Sequence, residues 1–116
     1  MIPYDAHNYN CAHYAIEQIN VATGADITFK SGDEWQVDFI RYLRANFTRI
    51  NKPTQNCLVV MSQHTGGLHL GVYRDYAVSH NYNSMFGAGS VIKSDLGTIR
   101  ANYKRIRFYD YNHKTP

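Results

Sequence analysis

Cys11, His69 and His80 are the residues whose types and spacing suit nucleophilic chemistry. A thiol becomes a nucleophile when a base takes its proton, and the base works best when a third polar group fixes its ring. If Arg74-Asp75 is a two-residue hairpin loop, the commonest hairpin length, His69 falls directly opposite His80. Directly paired residues carry their Cβ atoms about 4.5–5.5 Å apart on one face, which brings two imidazoles into hydrogen-bonding reach. Gly71 shares the His69 face and has no side chain, which leaves room there for a helix end to approach. Cys11 is expected at such a helix end. With Asn10 as N-cap it occupies the first helical position, where the helix dipole and unpaired N–H groups favour a thiolate.

The second cysteine, Cys57, stands in an apolar run, where a thiol behaves as a small hydrophobe. Two cysteines are too few for a disulfide scaffold; they form one bridge, or one is buried and the other reactive. His64, His69, His80 and either cysteine include zinc-binding types, but no Cys-x-x-Cys or His-x-x-x-His spacing joins them, so no metal is expected. His7, His13, His64 and His113 fit no motif and read as surface or packing residues.

The elements that must position these groups follow from periodicity. Ala12, Ala15, Ile16 and Ile19 make one apolar stripe, which predicts a helix from about Asn10 to Ala22, ended by Thr23-Gly24. Ser31 and Glu34 form a capping box for a second helix, with Trp35, Phe39 and Leu43 as core, ending near Ala45-Asn46. After Pro53 the pattern turns to strands. Cys57–Met61 is apolar throughout, as in a strand covered on both faces. Leu68–Tyr73 alternates, with Leu68, Leu70 and Val72 on one side and His69, Gly71 and Tyr73 on the other. Tyr76–His80, Ser90–Lys93 and Tyr103–Tyr109 complete the strands, with a helical turn started by Ser94-Asp95. The expectation is an α+β fold, N-terminal helices packed on an antiparallel sheet, in a single domain over residues 1–116.

Composition excludes several classes. Hydrophobic residues make up 44% and charged residues 18%, which argues against a disordered chain. No apolar run approaches the roughly 20 residues of a membrane span. The start, Met1-Ile2-Pro3-Tyr4-Asp5, lacks the basic and apolar segments of a signal peptide, so a cytoplasmic site of synthesis is expected. The net charge of +3 is scattered rather than gathered on one face, so nucleic acid is not an expected partner.

Several segments together resemble the NlpC-type cell-wall cysteine peptidases. They are Tyr9-Asn10-Cys11-Ala12-His13-Tyr14-Ala15, Asn56-Cys57-Leu58-Val59-Val60, His69-Leu70-Gly71-Val72-Tyr73 and Val78-Ser79-His80, with Ser90–Leu96 similar to the strand that follows. Small phage and prophage members with Asn-Cys openings look closest; most members read Asp-Cys-Ser-Gly where this chain reads Asn10-Cys11-Ala12-His13. The resemblance implies a minimal papain-like fold. It implies Cys11 as nucleophile, His69 as base and His80 as the group that orients it. Tyr4 and Tyr9 are the candidates for an oxyanion-site tyrosine. It implies hydrolysis of amide bonds in peptidoglycan stem peptides without a cofactor. Without a signal peptide, such an enzyme is expected to reach the envelope by a phage particle, a secretion machine or lysis, with phage-tail or secretion-system proteins as partners. The Cys-before-His order argues against the circularly permuted acyltransferases of the superfamily. The rival expectation is a non-catalytic tail or scaffold module of the same fold that binds cell-wall peptide or protein.

Overall fold

The structure is a computed structural model that describes residues 11–25, 35–83 and 89–112. The expected Asn10 cap, the Ser31–Glu34 capping box, Tyr4, Tyr9 and the side chain of Trp35 lie outside the described residues. Helix α1 spans Cys11–Thr23 and α2 spans Trp35–Asn46. The strands are β1 (Phe47–Ile50), β2 (Leu58–Ser62), β3 (Leu68–Arg74), β4 (Ala77–Asn83), β5 (Gly89–Asp95) and β6 (Arg105–Tyr111), with helix α3 (Leu96–Asn102) between the last two. All pairings are antiparallel, and the sheet order is β1-β6-β2-β3-β4-β5. The α+β class expected from the sequence is the class observed. Among the described residues no helix is long and apolar enough to cross a membrane.

Helix α1 ends where its residues stop it. Gly24 takes a left-handed φ of 73° and donates its N–H to the Asn20 carbonyl at 2.9 Å. The α1 stripe of Ala12, Ala15, Ile16 and Ile19 packs with Phe39, Leu43 and Phe47 onto Leu58, Val60, Leu70 and Val72. Ile40, beside the stripe of α2, is exposed instead. On the other face Cys57, Val59, Met61, Val78 and Phe108 pack with Ile99 of α3. Strand β2 is therefore apolar throughout because each face covers a different core. Arg74 ties α1 to the end of β3, donating to Gln18 Oε1 at 2.6 Å and to Asn56 Oδ1 at 2.8 Å.

Three expectations need correction. Strand β1, which adds an edge next to β6, was not foreseen. The loop between β3 and β4 is Asp75-Tyr76, not Arg74-Asp75, since Arg74 pairs with Ala77 and Val72 with Ser79. Asp75 and Tyr76 both take left-handed backbone, φ 52° and 67°, as a primed hairpin turn requires. Gln55 holds the loop, its Oε1 accepting from the Asp75 N–H at 3.1 Å. The same register, continued, puts His80 opposite Gly71 rather than His69. The third correction concerns the helix. The α1 stripe covers the Leu70 face, so the space beside Gly71 is filled by β4 and not by a helix end.

That space is tight. A Cβ at Gly71 would lie 2.6 Å from Val78 Cγ1, 3.0 Å from the Ser79 carbonyl and 3.2 Å from His80 Cβ. Gly71→Ala must push β4 outward, and overpacking of this kind costs about 1–3 kcal/mol. Urea denaturation is expected to show that loss. An unchanged midpoint would mean that β4 does not close on Gly71.

Candidate functional site

Strand alternation sends His69, Gly71, Val78 and His80 to the α3 face. The two-residue correction in register keeps every side chain on its expected face, because the strand period is two. His80 now stands diagonal to His69. Gly71, lacking a side chain, lets it lean across, and His69 Nε2 meets His80 Nδ1 at 2.7 Å. The rings cross at 79° with centroids 4.9 Å apart. Tyr103, at the start of the β6 arm, lies parallel to the His69 ring with centroids 5.9 Å apart. Beyond His80 the chain of polar groups continues, its Nε2 lying 3.1 Å from Ser94 Oγ.

One proton lies between each neighbouring pair of groups in this chain, so two directions are available. If His69 donates from Nε2, His80 accepts at Nδ1 and donates from Nε2 to Ser94. The reverse order starts with the Ser94 hydroxyl donating to His80. Only the first direction leaves His69 Nδ1 as the basic nitrogen of that ring.

Both rings are buried, and burial holds each well below the ordinary histidine value; for His69 the neighbouring His80 adds to the effect. The pair is therefore neutral at pH 7. They border a cleft of about 590 Å³ on the α3 face, with Ser94, His64, Thr98 and Asn102 around its wall.

Cys11 occupies a different position. It opens α1 as expected, but its side chain packs in the Leu70 cluster, and among the described residues it does not border the cleft. Burial pushes its thiol up to about 11, against the acidification expected at a helix start. The backbone amides of Leu70, Ala12 and Cys11 act in the opposite direction, stabilising the thiolate, but they are the smaller influence.

The Leu70 contact locates the thiol. Tyr73 donates its N–H toward β2, to the Cys57 carbonyl at 3.0 Å. By alternation Leu70 points its N–H the other way, toward β4. The β3–β4 pairs run from Arg74–Ala77 to Val72–Ser79, so the Leu70 amide lies beyond the last of them. The Cys11 thiol lies by the Leu70 amide on the α1 face, and the His69–His80 bond lies on the α3 face.

The structure thus brings His69 and His80 together and sets Cys11 at the peptide step that follows His69, on the opposite face. Cys57 is buried in the α3-side core with its thiol also pushed up to about 11, chiefly by burial, and both cysteines are free thiols. No three His, Cys, Asp or Glu side chains converge as metal ligands among the described residues. Sequence reasoning missed Ser94 and Tyr103. The sequence suggests Ser94-Asp95 as a helix start, and of the two Asp95 is the cap, accepting from the Thr98 N–H at 2.7 Å. The signal was present: Ser94 alternates with Ile92, the residue paired with His80. No known family model matches the chain, and comparison with curated proteins and with solved structures finds no match.

The neutral pair makes stability depend on pH. Unfolded histidines take up protons below about 6.5, while the folded rings resist. The contribution is full above that value and is lost as pH falls toward the lower folded values, by roughly 1.4 kcal/mol per pH unit for each ring. Urea midpoints should fall from pH 7 to pH 5, and less steeply in the His69→Gln/His80→Gln variant. A flat wild-type profile would contradict the neutral pair.

Proposed function

We propose that this chain is a cysteine hydrolase of amide bonds, with Cys11 as nucleophile, His69 as base and His80 as the group that orients it. The observation that carries this reading is the 2.7 Å His69–His80 bond, with the Cys11 thiol at the amide of the residue that follows His69, Leu70. With His69 Nε2 engaged by His80, Nδ1 is the nitrogen to take the thiol proton. The thiolate then attacks the carbonyl, and His69 returns the proton to the departing amine as the C–N bond breaks. Water, deprotonated by His69, releases the acyl group and restores the thiol. The amides of Cys11 and Ala12 are donors for the negative charge that forms at the helix start.

Attack requires the thiol to leave the Leu70 amide and reach His69 from the opposite face of β3. Peptidoglycan stem peptides as substrate and a papain-like arrangement of the fold rest on the resemblance of the Cys11, His69 and His80 segments. A second reading, a non-catalytic module that binds cell-wall peptide or protein, is favoured by one observation. The Cys11 thiol is buried and protonated outside the cleft that the imidazoles border.

Purified sacculi separate the two. Release of muropeptides by the wild type is expected to fall at least about a thousandfold in Cys11→Ser and in His69→Ala. Ser94→Ala is expected to lower it by no more than about tenfold, the worth of one hydrogen bond. Undiminished release by Cys11→Ser overturns the hydrolase reading. Binding to sacculi that survives Cys11→Ala, with no wild-type turnover, supports the module.

A further inference from the structure

Three arginines converge at the other end of the sheet, away from the imidazole pair. Arg49 pairs with Tyr109, and Arg107 lies two residues before Tyr109 on the same face of β6. That face also carries Phe47 and is the one covered by α2, whose last turn supplies Arg44. Together Arg44, Arg49 and Arg107 border a cleft of about 370 Å³ whose apolar wall is Ile40, Leu43, Phe47 and the Tyr109 ring.

Two features of this cleft point to a ligand. None of the described residues lining it is acidic, so three like charges face one another without a countercharge in the wall. The Arg107 Nε is buried and has no hydrogen-bond acceptor among the described residues, although a buried donor is normally satisfied. The carboxylate of β6 does not help, since Asp110 accepts from Thr54 Oγ1 at 2.7 Å, in the opposite direction along the alternation. A guanidinium presents N–H donors in a planar fork that matches two oxygens of a carboxylate or phosphate. Such an oxyanion would meet the guanidinium fork and relieve the repulsion.

We propose that the Arg44–Arg49–Arg107 cleft binds a carboxylate or phosphate carried on a ligand with an aromatic or aliphatic body. The charged group meets the guanidinium of Arg107, and the body lies on Ile40, Leu43 and Phe47. The site is separate from the histidine cleft and does not depend on the hydrolase reading.

Calorimetric titration of the full chain with phenyl phosphate, benzoate, inorganic phosphate and phenol tests it. Phenyl phosphate or benzoate is expected to bind saturably at one site, with the tighter of the two identifying the anion. Inorganic phosphate, lacking the body, should bind at least about tenfold more weakly, and phenol should not bind. Arg107→Gln should weaken binding at least about tenfold, and Arg100→Gln on the exposed face of α3 should not. Arg44 is exposed, so Arg44→Gln should fold normally and weaken binding even if Arg107→Gln does not fold. Equal, non-saturating binding by wild type and Arg44→Gln, or no binding at all, overturns the proposal.

Discussion

The imidazole pair on the α3 face sets the conditions for the rest of the sheet. Two neutral rings can be buried side by side only if one donates to the other, which demands close approach on adjacent strands. The 2.7 Å bond meets that demand, and the missing side chain at Gly71 permits it. His80 packs close on Gly71, and the Leu70 amide lies beyond the last β3–β4 pair, Val72–Ser79. The thiol of Cys11 reaches that amide from the other side because α1 packs its alanine and isoleucine stripe on the Leu70 face. The pair and the close approach of β4 at Gly71 are consequences of one constraint.

Electrostatics at the site run against a preformed ion pair. Desolvation disfavours both the thiolate and the imidazolium, and here it acts on all three groups. The three amides around the thiol oppose it without prevailing. In the proposed hydrolase the nucleophile would be generated by proton transfer at the moment of attack, not stored as a thiolate. The polar chain through His80 to Ser94 holds the His69 ring. The 590 Å³ cleft lies on the same side, beside the imidazoles.

Much of this was legible in the sequence. The alanine–isoleucine stripe gave α1, the unbroken apolar run gave β2, and the alternation of β3 sorted His69 from Leu70 before any register was known. Parity also protected the histidine pairing, since a slip of two residues left both rings on one face. The loop itself was not legible. Asp75 and Tyr76 are poor markers of left-handed backbone, and what holds them is Gln55, twenty residues away in the chain. Nor did the sequence say which face of the sheet each helix takes. A strand that is apolar on both faces accepts a helix on either, and the choice of the Leu70 face separates Cys11 from the cleft. Strand β1 was missed because four residues, Phe47–Ile50, follow α2 without a break.

The most direct test of the account reads the protons on the two rings. Long-range proton–nitrogen NMR of His69 and His80 at pH 7 and pH 5.5 distinguishes neutral tautomers from imidazolium. The account predicts a single protonated nitrogen on each ring at both values, with the His69 proton on Nε2. Doubly protonated patterns on both rings at pH 5.5, as for histidines titrating near the ordinary value of about 6.5, would contradict it.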